Sequence, residues 1–125
     1  MDFKIDTRDT FSVITPVAAS ITVNLTGALR AEMEKVRQSG SRHFIIDLQN
    51  CTSIDKDAIE KLIAIHEECY AMDTSLVFTG TGGQVIAALK EEEADMILNV
   101  APKMIEAVDI ISMEILERDL FGEES

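Results

Sequence analysis

The chain has 125 residues, 46% of them apolar and 27% charged, which suits one domain with a real core and excludes a multi-domain enzyme. Its net charge of −12, from 23 acids against 11 bases, excludes nucleic acid as a partner, because a polyanion is bound by a basic footprint. No apolar run reaches the roughly 18 residues of a membrane span, and the alternating, charged start Met1-Asp2-Phe3-Lys4-Ile5-Asp6 is not a signal peptide, so no direct membrane insertion is expected.

Phe3–Thr7 alternates like an edge strand, and Phe11–Thr15 forms a second strand behind a short turn at Asp9-Thr10. Pro16 lacks a ladder donor, so the second strand should bend or end there, with Val17–Ser20 continuing extended. Thr22 or Asn24 can cap a first helix whose apolar face is Leu25, Ala28, Leu29, Met33 and Val36, stopped at Ser39-Gly40. His43–Leu48 is a β-branched run that reads as a buried strand. A polar loop, Gln49–Asp55, leads to a second helix over about Asp57–Met72, with Ala58, Leu62, Ile65 and Cys69 on its buried stripe and Ile59, Ile63 and His66 beside it. Ser75–Thr79 is the next buried strand, and Gly80–Gly83 turns into a short helix from Gln84 to about Glu92. Met96–Val100 reads as another strand, and Pro102 opens a final helix with the stripe Ile105, Val108, Ile111 and Ile115. The stretch after Arg118 reads as a frayed acidic tail.

A helix between consecutive buried strands implies parallel pairing through right-handed crossovers, and the opening hairpin adds an antiparallel edge. The expected class is therefore a small α/β layer protein. Charge is uneven: from Glu91 onward there are eleven acids and two bases. That excess is read as solubility, lying away from the Gln49–Asp57 region. Cys51 and Cys69 make no CxxC and no metal-spaced cluster, and two thiols in a core-forming chain point to a reducing cytoplasm while leaving a disulfide open.

Gly80-Thr81-Gly82-Gly83 has the order of a phosphate cradle (strand, glycine loop, helix), but lacks both GxxxxGK[ST] and GxGxxG. Asp47 ends a strand as a receiver's phospho-acceptor does, without the acidic pair a receiver needs for its cation. His66 has no nucleophile or base to work with and reads as a core histidine. No catalytic residue, metal or cofactor is implied. Asp57 and Glu60 have capping-box spacing, with Asp in place of the usual Ser or Thr.

Asp47-Leu48, followed by Asn50-Cys51-Thr52-Ser53-Ile54-Asp55-Lys56-Asp57-Ala58-Ile59, resembles the signature loop of the STAS family, the fold of bacterial anti-sigma factor antagonists. There a strand ending D-L leads through N-V to F-I-D-S-S-G-L. Ser20–Asn24 is similar to that family's entry to its first helix, Leu76-Val77-Phe78-Thr79-Gly80 to its V-L-T-G strand end, and Ala101-Pro102 with Ile105–Val108 to its last helix. The likeness spans roughly residues 3 to 112 with element order preserved.

The resemblance implies a single STAS-like domain over residues 1–118: a mostly parallel mixed sheet with an antiparallel N-terminal hairpin, covered by about four helices, with 119–125 a disordered tail. It implies a non-catalytic cytoplasmic module that binds an anti-sigma factor of the serine-kinase type and leaves a homodimer open. The partner surface would be Asp55, Lys56, Asp57, Ala58, Ile59 and Glu60. The family's phosphorylated serine falls on Asp57, its preceding serine on Lys56 and its glycine on Ala58. Asp57 cannot take phosphate from a serine kinase, so the switch is either lost or held in something like its modified state. Thr52 and Ser53 are the hydroxyls to which a phosphosite could have moved. The alternatives are a STAS-like subunit of a stressosome or transporter-associated complex, and a nucleotide-binding α/β domain using Gly80–Gly83.

Overall fold

The structure, a computed structural model, describes residues 2–122. Its elements are β1 (Asp2–Thr7), β2 (Ser12–Val17), β3 (Ser20–Ile21), α1 (Val23–Gln38), β4 (Phe44–Asp47), β5 (Ser53–Ile54), α2 (Lys56–Ala71), β6 (Leu76–Thr79), α3 (Gly83–Glu91), a 3-10 turn (Ala94–Met96), β7 (Val100–Ala101) and α4 (Met104–Gly122). Five strands pair in the order β1-β2-β4-β6-β7, antiparallel between β1 and β2 and parallel elsewhere. The expected class holds: a mixed sheet with an antiparallel edge hairpin and four helices.

Period-two alternation divides the core in two. Phe44, Ile46, Leu76 and Phe78 face α1, α2 and α3, while Ile45 and Val77 face α4. Both faces of β4 and β6 are therefore dry, which is why their sequences carry no polar alternation. Thr22 caps α1 by accepting the Leu25 amide at 3.1 Å.

Five local expectations are corrected. Strand β2 runs through Pro16 to Val17, with Pro16 opposite Phe3. The Ser12 amide points toward β4, bonding His43 O, so by alternation the donor that Pro16 lacks would also point there. The β2–β4 register ends at Ile14↔Ile46, so nothing on that side needs it. Met96–Val100 is not a strand. Glu93 adopts a left-handed φ of 58°, the chain coils about buried Ala94, and only Val100 and Ala101 pair with β6. Pro102 lies ahead of α4 rather than in its first turn. On α4 the fully buried residues are Ala107 and Ile111, whereas Ile105 is 71% exposed. Six residues separate Ile105 from Ile111, which rotates it about a third of a turn off the core stripe. Helix α4 also continues to Gly122, past the Arg118 at which the sequence placed the start of a tail; residues 123–125 of that stretch lie outside the described residues.

A polar cluster closes the sheet at the amino ends of β4 and β6. Tyr70, in the last turn of α2, donates to Glu114 Oε1 on α4 at 2.6 Å and accepts from Asn99 Nδ2 at 2.5 Å and the Leu76 amide at 3.3 Å. Arg118 donates to the buried Ser75 hydroxyl and lies 5.8 Å over the Tyr70 ring. Burial and the Glu114 carboxylate push the Tyr70 phenol well above its ordinary range, so it stays a donor. Tyr70→Phe leaves Asn99 and Glu114 short of a partner and should destabilise the fold by about 1–3 kcal/mol in urea denaturation.

The two histidines set a pH dependence. His43 Nδ1 accepts the Ser75 amide at 3.0 Å, and burial first, then Arg118 and Arg42, holds its pKa below 6.5. His66 stacks 4.6 Å from Tyr70 with its Nδ1 buried and unpartnered, and burial lowers its pKa too. Both rings bind protons more readily unfolded than folded. Their stabilisation is thus complete above about pH 6.5 and drains away as pH falls below it. Wild-type Tm should fall more steeply between about pH 7 and pH 5.5 than that of a His43→Gln/His66→Gln variant. Parallel slopes would refute this.

Candidate functional site

Parallel strands β4 and β6 end level, Asp47 beside Thr79, and both loops that leave them start from that point. The Asp47 carboxylate turns back on its own loop, accepting from the Gln49 amide at 3.1 Å through Oδ1 and from Gln49 Nε2 at 3.0 Å through Oδ2. Gly80 packs on this turn. Its φ is +73°, and a Cβ there would lie 2.4 Å from Asp47 Oδ1 and 3.0 Å from the Gln49 amide nitrogen. Gly80 is thus required twice, by its left-handed backbone and by the contact. The contact also sets a carboxylate against the Gly80–Gly83 loop, which is poor chemistry for cradling phosphate.

From Asp47 the loop is fastened to the β2–α1 connection. Asn50 Nδ2 donates to Pro16 O at 3.2 Å, on the side the proline leaves free. The Thr52 amide donates to Ala19 O at 2.7 Å and the Asp55 amide to Ile21 O at 3.0 Å. Between those bonds β5 pairs in parallel with β3, Ser20 opposite Ser53 and Ile21 opposite Ile54. The Ser20 and Ser53 hydroxyls meet at 2.9 Å, and Thr52 Oγ1 donates to Ala19 O at 3.3 Å. Both candidate hydroxyls, though exposed, therefore brace this small second sheet. On sequence alone all of 49–55 is loop. The repeated Ser-Ile at 20–21 and 53–54 is the trace of the pairing, too short to register as strand periodicity.

Asp55 is the N-cap of α2, with extended backbone and no side-chain cap bond. That corrects the capping-box reading: Asp57 lies one turn-position inside the helix, second after the cap. Its charge still suits the positive end of the helix dipole, worth about 0.3–1 kcal/mol. Asp55, Lys56, Asp57 and Glu60 are exposed, whereas Ala58 and Ile59 are 0% and 2% exposed and belong to the core. The helical repeat turns those two inward, so they leave the expected contact surface and position it from beneath.

The starts of α1 and α2 lie side by side. Thr22, Val23 and Asn24 from one, with Asp55, Lys56 and Asp57 from the other, line an open cleft of about 390 Å³. Lys56 Nζ is 3.7 Å from Glu92 Oε1, at the end of α3. The acidic run 91–93 is therefore not remote from this region, as the linear distribution of charge implied; it reaches the α2 entrance. Such an exposed pair is worth at most about 1 kcal/mol. Its larger effect is to offset the entrance's one cation, leaving Asp55, Asp57 and Glu60 to set its sign. Cys51, buried under the loop, and Cys69 on α2 are free, and burial first pushes both thiols up, which makes them inert packing groups.

A family model described as STAS domain matches residues 2–107. The fold is similar to that of an anti-sigma factor antagonist from Mycobacterium paratuberculosis, with a TM-score of 0.74 and 16% identity, covering 89% of this chain and 93% of that one. It is similar to the Bacillus cell fate determinant SpoIIAA in its phosphorylated form, with a TM-score of 0.60 and 12% identity, covering 88% and 99%. A sulfate transporter family protein from Wolinella succinogenes gives a TM-score of 0.69 and 16% identity, covering 82% and 85%. No curated protein matches the sequence. Among the described residues, no helix is long and apolar enough to cross a membrane.

The Asp47–Gly80 contact makes a direct prediction. Gly80→Ala should cost about 1–3 kcal/mol of stability by denaturant titration. In an Asp47→Ala background the same change should cost less, because the clash with Asp47 Oδ1 is gone while the backbone penalty and the Gln49 contact remain. Equal costs in both backgrounds would show that the contact carries no strain.

Proposed function

Since the chain belongs to the STAS domain family, we propose that it is a non-catalytic interaction module of the anti-sigma factor antagonist kind, docking a serine-kinase-type anti-sigma factor at the entrance of α2. The observation that carries this reading is the exposed Asp55-Lys56-Asp57 turn, held rigid by β3–β5 pairing and the Asp47–Gly80 turn, and presented at the rim of a cleft. A surface fixed from below by Ala58 and Ile59 and charged on top is built for recognition rather than reaction.

The family's phosphoserine would bring nearly two negative charges to the position of Asp57, and the aspartate supplies one. A free partner would meet permanent charge here, reinforced by Asp55 and Glu60. In this reading the chain engages a partner with a basic contact surface, without a phosphorylation cycle at residue 57. Phosphate on Thr52 or Ser53 instead would have to break the bonds that brace β5. The likeness to a sulfate transporter family protein supports a second reading, in which the same module serves a transporter-associated complex.

Pull-down from native lysate tests both. The tagged chain should retain an ATP-binding serine kinase or anti-sigma factor, and Asp57→Arg should lose it. Incubated with that kinase and labelled ATP, the wild-type chain should stay unlabelled and Asp57→Ser should take up label. Retention that ignores Asp57→Arg would overturn the reading, and recovery of a membrane transporter would replace it with the second.

A further inference from the structure

Helix α4 has more apolar surface than its core contact uses. Ala107 and Ile111 are fully buried against Val13, Ile45, Val77 and Ala101, with Met104, Val108 and Ile115 partly buried beside them. On the opposite side Ile105, Met113, Leu116 and Leu120 are 71%, 62%, 58% and 56% exposed. Counted with Asp109, their spacings are four, four, three and four, so they form one stripe along the helix. A helix that is apolar on both sides is usually covered on both sides. Isolated exposed apolar residues are ordinary, but four in one line over about four turns, interrupted only by Asp109, make a contact surface.

The charge around the stripe selects what covers it. Glu106, Asp109, Glu117 and Asp119 are exposed along or within it. Of the two bases on this segment, Lys103 precedes the first turn, and Arg118 is drawn to the core side by Ser75 and Tyr70. A second copy of the chain would bring acids against acids. A lipid surface is met by helices that flank their apolar face with Lys and Arg, the reverse of this pattern. The occupant that satisfies both the stripe and its rim has an apolar ridge bordered by bases.

We propose that the outer face of α4 is a second docking surface, taking a basic amphipathic helix of a partner protein, separate from the α2 entrance. The far half of α4 is already fixed for this by Tyr70–Glu114 and Arg118–Ser75, so docking orders little backbone. The inference stands independently of the function proposed for the α2 entrance.

The probe is a Leu/Lys peptide patterned as an amphipathic helix, followed by fluorescence anisotropy and amide shift mapping on the full chain. Two controls have the same composition with no helical face, and Leu/Glu with the face retained. The patterned basic peptide should bind at least about tenfold tighter than either control, with shifts on α4 rather than α2. Met113→Ser/Leu116→Ser, two exposed changes whose folding is checked by thermal melting, should weaken it about tenfold, while Asp57→Arg should not. Equal binding of the shuffled peptide would reduce the effect to bulk charge and overturn the proposal. So would self-association, or binding to phosphatidylcholine vesicles, that the double variant abolishes.

Discussion

Strand β4 is paired on both edges and covered on both faces, and this constraint governs the rest of the molecule. Buried backbone groups must be paired, so β2 and β6 lie in register on either side of β4, parallel because α1 and α2 carry the chain back between strands, and helices close both faces. The side chains of β4 then divide strictly, Phe44 and Ile46 to one layer and Ile45 to the other. Because β4 and β6 end level at Asp47 and Thr79, their loops emerge side by side. The Gly80 backbone can then press on the Asp47 turn, and the approach is close enough to exclude any side chain. The candidate site is thus an outgrowth of the most constrained part of the sheet.

The loop beyond Asp47 gains order through hydrogen bonds rather than burial. The β2–α1 connection supplies the carbonyls of Pro16, Ala19 and Ile21, and the loop supplies Asn50, Thr52 and Asp55 as donors. This lateral seam places the starts of α1 and α2 beside one another. A surface made this way is stiff without a deep pocket. Charge follows the same economy: Lys56 is offset by Glu92, just past the end of α3, and the entrance keeps an acidic sign.

The two ends of the sheet differ in kind. At its carboxyl end lies the exposed, charged entrance of α2. At its amino end the polar groups turn inward, around Tyr70 and Ser75, and join α2 to α4 across the sheet edge. The outer side of α4 is thereby held firmly while remaining largely apolar. One small domain offers two chemically distinct faces, one acidic and polar, the other an apolar stripe with acidic borders.

What the sequence determined by itself is what repeats locally. Helical stripes such as Leu25-Leu29-Met33-Val36, the apolar run at 44–46 and the crossover order were enough for the α/β class, and the Asp47–Ile59 pattern for the family resemblance. Two-residue strands leave no periodicity, so the β3–β5 seam was legible only as the echo of Ser-Ile. Tertiary structure alone decided that Ile105 faces out, and that Val100-Ala101 and not Met96–Val100 completes the sheet. It also decided that Glu92, 36 positions along the chain from Lys56, belongs to the same surface. The physical reason is common to all of these: helix phase, pairing register and long-range charge contacts depend on where distant segments meet, and residue order records only near neighbours.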